Sequence, residues 1–291
     1  MEILEIAYAK LNLSLDVVGR LPNGYHEMYM VMQSISLCDD VFISVTEGNG
    51  EISITTNRDY LPNDRRNIAY KAASVFMEKK NITGYDIAIR LEKRIPVCAG
   101  MGGGSTDGAA VLRGLNTLFD THCTLAELQE MGALLGSDVP FSVAGGTAVA
   151  TGTGTDIAQI PPLPDCAIVV CKPEFSVSTP ELFSKIDGVK ILVRPDTKGV
   201  ISAIVNGDVR GMAMRMHNVF EEVLQTGRDT VNAAKGILYD NGALGACMTG
   251  TGSAVFGVFD EEKKAQSAVS ALKAEYPEVF LCRPTPEIKI G

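Results

Sequence analysis

Four glycines in five positions, Gly100-Met101-Gly102-Gly103-Gly104, run directly into Ser105 and Thr106. Upstream, Ile87, Ile89 and Leu91 alternate as in a strand; downstream, Val111, Leu112, Leu115, Leu118 and Phe119 form one helical stripe. Glycine reaches positive φ and lets another group come close to the backbone. Successive N–H groups in such a turn make a concave anion nest, and the following helix adds its own free N–H groups and positive dipole end. Ser105 and Thr106 can cap that helix or donate to phosphate oxygens. The segment therefore reads as a phosphate cradle, the alternative being a tight strand-to-helix turn with no ligand. It is not a Walker loop, because no lysine follows the glycines. The dinucleotide fingerprint needs a third glycine where Ser105 stands, and it opens at an early strand.

Charged groups that could act on a phosphate lie far away in the chain. In the N-terminal stretch Leu11, Leu13, Leu15 and Val17 are apolar, while Lys10, Asn12, Ser14 and Asp16 are polar. A period of two predicts a half-buried strand with Lys10 and Asn12 on one face. Taken alone, Lys10 is an exposed strand lysine. Asp138, in Gly136-Ser137-Asp138-Val139-Pro140, is on the same terms a helix cap or turn aspartate. Tyr25 and His26 follow a Leu21-Pro22-Asn23-Gly24 turn as a loop pair, and Thr249-Gly250-Thr251-Gly252-Ser253 reads as a hairpin turn between two strands. His122 and His217 fall in no paired metal-ligand pattern.

Three separated segments together resemble the GHMP kinase superfamily of small-molecule kinases. They are Ala9-Lys10-Leu11-Asn12-Leu13, the run Ile95-Pro96-Val97-Cys98-Ala99-Gly100-Met101-Gly102-Gly103-Gly104-Ser105-Thr106, and Thr249-Gly250-Thr251-Gly252-Ser253. Gly19-Arg20, Gly24-Tyr25-His26 and Gly136-Ser137-Asp138-Val139-Pro140-Phe141 are similar to one branch, whose acceptor is a cytidine diphosphate-linked polyol of non-mevalonate isoprenoid precursor synthesis. Met101, Thr106 and Gly108 depart from the usual leucine, serine and alanine, and a Leu-to-Met change conserves volume.

The resemblance implies ATP on the run from Pro96 to Thr106, with Mg²⁺ carried by the phosphates and Ser105 as a protein ligand. It implies Lys10 and Asp138 as the catalytic pair. The ammonium would stabilise the transferred phosphoryl oxygens, and the carboxylate would accept or orient the acceptor hydroxyl. Tyr25 and His26 would recognise the cytidine, with Phe175 as an opposing stacking face or else a core residue. Asn12 would contact the diphosphate or polyol. Asn67 would touch the nucleotide or simply cap its helix. Rival readings are another acceptor, homoserine or phosphomevalonate, and a nucleotide-binding regulatory protein without turnover. The presence of both Lys10 and Asp138 speaks against the last.

These residues need elements to hold them. Strands are predicted near 41–46, 52–56, 87–91, 167–170, 243–248, 254–259 and 280. Helices are predicted over 67–80, 125–135, 199–205, 210–224, 230–241 and 261–275. Strands and helices mix without strict alternation, which favours α+β. The Pro-rich Ile160-Pro161-Pro162-Leu163-Pro164 marks the expected boundary between domains at 1–160 and 161–291. By the resemblance these would be a ribosomal-protein-S5-like N-terminal domain and a ferredoxin-like C-terminal one.

The 291 residues suit such a pair, and 46% hydrophobic residues permit a sizeable core. A net charge of −9 argues against a nucleic-acid coat or an anionic-membrane binder. Seven cysteines without a C-x-x-C pair predict mostly buried free thiols in a reducing compartment. No stretch approaches ~18 apolar residues, and Met1-Glu2-Ile3-Leu4-Glu5 does not resemble a signal or transit peptide. The expected location is cytoplasmic, and the expected partner a small molecule.

Overall fold

In the computed structural model, which describes residues 1–290, the chain begins as a long antiparallel hairpin of β1 (Glu2–Arg20) and β2 (His26–Glu47). β3 (Ile52–Thr56) follows. Asn67 then caps α1 (Ile68–Lys79) by accepting the Ala69 N–H on its side-chain oxygen. β4 (Tyr85–Glu92) leads through the glycine segment into α2 (Gly103–Leu118), α3 (Leu125–Ala133) and α4 (Val139–Ala144). α3 opens on a capping box between Thr124 and Glu127. β5 (Thr147–Thr151) and β6 (Asp156–Gln159) precede the Pro-rich stretch.

The second half contains β7 (Ala167–Lys172), α5 (Thr179–Asp187), α6 (Thr197–Val205), α7 (Val209–Ala213), β8 (His217–Asn218), α8 (Phe220–Val223) and α9 (Arg228–Asp240). β9 (Gly245–Met248), β10 (Val255–Phe259), α10 (Glu262–Lys273) and β11 (Glu278–Cys282) complete it.

Two sheets organise these elements. The first runs β3-β4-β2-β1-β8, with β5 beside β2 and β6 beside β5. α1 and α2 pack on it and bury Phe76, Val111 and Leu115 with Ile43, Ile87 and Ile89, each worth roughly 1.5–3 kcal/mol of burial. The two helices approach closely because α2 carries Gly108, where a Cβ would stand 2.7 Å from Ile68 Cγ2. The second sheet is antiparallel, ordered β11-β7-β10-β9, with α9 and α10 burying Leu238, Ala268 and Leu272 against it. Its β7-α9-β9-β10-α10-β11 succession is the ferredoxin-like order, with α5 to α8 inserted after β7. The halves interlock. β8 pairs parallel with β1 at Ser14 and Leu15, and Pro284 and Glu287 return to bridge Ile35 and Gly145.

Three expectations change. β1 is not half-buried: residues 9–17 are buried on both faces, Lys10, Asn12, Ser14 and Asp16 included. Its polar alternation marks an interior wall rather than a solvent face. The helix expected over 210–224 is two short helices interrupted by β8, because the backbone at Asn218 pairs with β1 instead of continuing the helix. β5, β6 and α5 were not foreseen. All seven cysteines are free; five are buried, and burial pushes the thiols of Cys166, Cys171 and Cys282 up to about 12. No helix among the described residues is long and apolar enough to cross a membrane.

Candidate active site

The three glycine- and lysine-bearing segments meet at one point. Gly102 takes the N-cap position of α2 in a left-handed conformation, φ 71°, with no side chain to fill the first turn. The N–H groups of Gly103, Gly104 and Ser105 have no carbonyl one turn back to bond. Gly100 is also left-handed, and a Cβ there would lie 2.2 Å from the Thr249 carbonyl oxygen. The Thr249 hydroxyl donates to the Gly100 carbonyl at 3.3 Å and accepts the Asn12 N–H at 3.1 Å. Ala254 N–H donates to the Ala99 carbonyl at 3.1 Å, and the backbone N–H of Lys10 to the Met101 carbonyl at 3.0 Å. A strand of the first sheet, the loop before α2 and the β9–β10 hairpin thus share one hydrogen-bonded junction.

Lys10 is buried in this junction, 4% exposed. Its ammonium donates to Asn12 Oδ1 at 2.7 Å and stands 3.4 Å from Asp138 Oδ2. Asp138 occupies the N-cap position of α4, yet its side chain makes no capping hydrogen bond, so the helix-cap reading of that carboxylate does not hold. It faces the lysine with 31% of its side chain exposed. A cation and a carboxylate are therefore held together at the lip of an open space, the lysine fixed from behind and the carboxylate reachable from in front.

Two cavities meet across the glycine loop. One, of about 310 Å³, is lined by Pro96 through Ser105, by Asn67 and Ile68 at the start of α1, and by Lys93 and Asp107 at its floor. Asn67 thus both caps its helix and faces this space. Thr106 does not line it. Its hydroxyl donates to the Tyr8 carbonyl at 2.8 Å, which ties α2 to β1. The other cavity, of about 320 Å³, is lined by Lys10, Asn12, Asp138, Phe183 and Thr251 among others. Cys98, Gly100 and Gly102 belong to both walls.

The structure places the expected aromatic residues differently around the second cavity. The Phe175 ring packs on Gly227, where a Cβ would stand 2.4 Å away, and its carbonyl accepts the Ser253 hydroxyl at 2.5 Å. It packs, partly buried, against the core and does not line the second cavity. Tyr25 is 66% exposed at the hairpin tip and does not line the second cavity. His26 lies one layer behind the wall. It stacks on Phe183 at 4.6 Å and bonds Asp187 at 2.7 Å. Phe183, on α5, lines the cavity together with the buried Phe220, which meets it edge-on at 5.0 Å. Ser178 and Pro180 opening a helix, with Leu182, Phe183 and Ile186 on one stripe, was the signal that could have shown it.

A second charged cluster lies beneath the glycine loop, with no local sequence pattern to mark it. Lys93, 4% exposed, donates to Asp39 and Asp107 at 2.5 Å each and to the Gly103 carbonyl at 3.2 Å. Asp39 further accepts the N–H groups of Arg94 and Ile95. The cluster clasps the two ends of the glycine loop, from Arg94 to Gly103. Asp107 Oδ1 is buried without a partner. Burial, with Asp39 close by, pushes the Asp107 carboxyl up to about 7 against the opposing pull of Lys93.

Known proteins share this sequence and architecture. Residues 67–146 match the family model for the GHMP kinases N terminal domain, and residues 200–278 that for the GHMP kinases C terminal. A 4-diphosphocytidyl-2-C-methyl-D-erythritol kinase of Clostridium botulinum (strain Alaska E43 / Type E3) is 41% identical over 95% of this chain and 98% of its own. One of Clostridium tetani (strain Massachusetts / E88) has the same identity and coverage. A crystal structure of 4-(cytidine 5'-diphospho)-2C-methyl-D-erythritol kinase superposes with a TM-score of 0.79 at 30% identity, covering 98% of this chain and 99% of that one. Homoserine kinase from Cytophaga hutchinsonii superposes at 0.75 with 18% identity, covering 98% and 95%, a likeness of fold.

Proposed function

Because this chain belongs to the GHMP kinases, we propose that it is an ATP-dependent kinase for the 2-hydroxyl of 4-diphosphocytidyl-2-C-methyl-D-erythritol, in the non-mevalonate route to isoprenoid precursors. The observation that carries the mechanism is the Lys10–Asp138 pair at the seam between two cavities that share Gly100 and Gly102. The choice of acceptor rests on the near full-length identity to kinases of that name.

On this reading the first cavity takes the nucleotide, with its phosphates against the free N–H groups at Gly103, Gly104 and Ser105. ATP supplies the γ-phosphoryl group. The Lys10 ammonium lies where it can stabilise the phosphoryl oxygens during transfer, and Asp138 accepts the proton of the acceptor hydroxyl as the new O–P bond forms and the bond to ADP breaks. The second cavity takes the acceptor, with Asn12 beside its polar part and Phe183, backed by His26, offering a face to the base. For Mg²⁺ the wall offers the Ser105 hydroxyl, and the described residues include no cluster of three or more acidic, histidine or cysteine ligands. That donor set suits an ion held mainly by phosphate oxygens and water. The domain division at 160/161 belongs to the same reading, supported by β6 ending at Gln159 and β7 beginning at Ala167. So does a cytoplasmic location, supported by the unpaired cysteines.

The test is ADP release by the purified chain with ATP and a panel of acceptors: the cytidine diphosphate-linked polyol, homoserine and phosphomevalonate. Turnover is expected with the first. Turnover with another acceptor and none with the first would sink the assignment.

A further inference from the structure

Asn218 is fully buried on β8, where the backbone of the second half joins β1. Its side-chain nitrogen donates to the Met248 carbonyl at 2.8 Å and to the Gly250 carbonyl at 2.7 Å, and its oxygen accepts the Phe220 N–H at 3.0 Å. A primary amide has two donors at one end and an acceptor at the other, so these three contacts use the group fully and in one orientation. No substrate-facing role is left for it, since it lines neither cavity.

The contacts lead directly to the lysine. Gly250 is held in the left-handed region, φ 55°, and its N–H donates to Asn12 Oδ1 at 3.0 Å. That same oxygen accepts the Lys10 ammonium at 2.7 Å. The ammonium in turn faces Asp138 at 3.4 Å. Asn12 Oδ1 therefore sits between a backbone N–H that Asn218 fixes and the ammonium that must meet the phosphoryl group. Glycine is the residue least able to hold its own conformation. Its peptide stays in register here because the Asn218 amide holds the carbonyls on either side of Thr249. Thr249 adds a second tie through its hydroxyl to the Asn12 N–H.

We propose that Asn218 is a positioning residue for phosphoryl transfer, acting through Gly250 and Asn12 to fix the Lys10 ammonium opposite Asp138. The inference rests on the kinase reading above and adds to it a residue from the second half of the chain. Without the amide, two buried carbonyls lose their donor and the Gly250 peptide is free to turn. Asn12 Oδ1 then loses the closer of the two donors, the Gly250 N–H at 3.0 Å and the Thr249 hydroxyl at 3.4 Å, that hold it from the β9–β10 side, and the ammonium shifts with it.

The experiment is steady-state kinetics on Asn218→Ala and Asn218→Ser, each also made in a Lys10→Ala background, with thermal unfolding to confirm that each variant is folded. In the otherwise native chain kcat is expected to fall about 10- to 100-fold, the scale of a small misplacement of a catalytic group. KM for ATP and for the acceptor should stay within about 2-fold, because no ground-state contact is removed. In the Lys10→Ala background the same substitutions should cost less than about 2-fold in kcat, since the group they position is gone. A merely structural role would carry its full penalty into that background, and that result, or an unchanged kcat, overturns the inference. Should Asn218→Ala not fold, Asn218→Ser, which keeps one donor, carries the same comparison. A native chain that fails to turn over the acceptor overturns the kinase reading, and this inference with it; a native chain that turns over while Asn218→Ala keeps its kcat overturns this inference alone.

Discussion

Gly100 and Thr249 meet backbone to backbone: a Cβ added to Gly100 would stand 2.2 Å from the Thr249 carbonyl oxygen and 3.1 Å from the Gly252 nitrogen. Two glycine motifs far apart in the sequence are thus a single packed unit. Neither Gly100 nor Gly250, where a Cβ would stand 2.8 Å from the Gly100 carbonyl oxygen, could carry a side chain here, because the neighbour is main chain and cannot rotate away. Gly100 also has φ 74°, where an L side chain is strained.

Gly100→Ala should accordingly cost about 2–5 kcal/mol of stability, from overpacking plus left-handed strain. It should also raise KM for ATP, since the loop must move to relieve the clash. Gly236→Ala is the control. It lies within α9 with open space around it, and should be neutral or stabilising by up to about 1 kcal/mol. Urea unfolding of the two variants decides the matter, and equal effects would contradict the packed unit.

For the proposed catalytic pair, Asp138→Asn keeps the shape of the side chain and removes its basicity. kcat should fall by ~10²-fold or more, with ATP affinity nearly unchanged. Lys10→Ala should cost about 2–4 kcal/mol of transition-state stabilisation, as for a lost preorganised electrostatic group. Rapid-quench measurement of the chemical step separates these effects from product release. A normal single-turnover rate in Asp138→Asn would remove that carboxylate from the mechanism.

How far these features could be read beforehand depends on their range. The loop, the Asn67 cap and the shared face of Lys10 and Asn12 follow from local spacing, and the structure places each accordingly. The buried Lys93–Asp39–Asp107 cluster left no local pattern. Its members come from the middle of β2, the residue after β4 and the second turn of α2, and only the packed fold makes them neighbours. Asn218 was hidden for a different reason. Met212, Val219, Phe220 and Val223 are apolar at helical spacing and buried, so the break between them at β8 was invisible without the pairing to β1. β5 was masked by Gly145 and Gly146 ahead of it, and by the Thr/Gly-rich turn that follows at Gly152 to Gly154. Polar residues along β1 misled in the opposite sense. Alternation identifies which residues share a face, but it does not say whether that face meets water or a partner sheet.

The different placements of Phe175 and Phe183 make a paired prediction. Phe183→Ala should raise KM for the acceptor by roughly 5- to 150-fold, the equivalent of about 1–3 kcal/mol of base stacking, and leave KM for ATP alone. Phe175→Ala should instead lower stability, by less than the ~3–5 kcal/mol of a fully buried phenylalanine because it is only partly buried, with acceptor KM little changed. Kinetics and unfolding on the two variants check both halves. The reverse pattern would restore Phe175 as the stacking face.

The Asp107 carboxyl supplies the pH dependence. Its folded value of about 7 lies above the ordinary 3.8, so between these values the folded chain holds a proton that the unfolded chain has released. The stabilisation from this group is therefore complete below about pH 4 and is lost as pH rises through about 7. Asp107→Asn removes the titration while keeping an oxygen for Lys93. Against that variant, the native chain should lose stability between pH 4 and 7 by an amount on the order of a few kcal/mol. The difference arises because burying an ionised carboxylate, with a second one sharing the same ammonium, costs more than burying the neutral acid. Urea unfolding across that range measures it directly. Parallel stability curves for the two chains would show that Lys93 holds Asp107 ionised throughout, and that the clasp under the glycine loop carries a fixed charge.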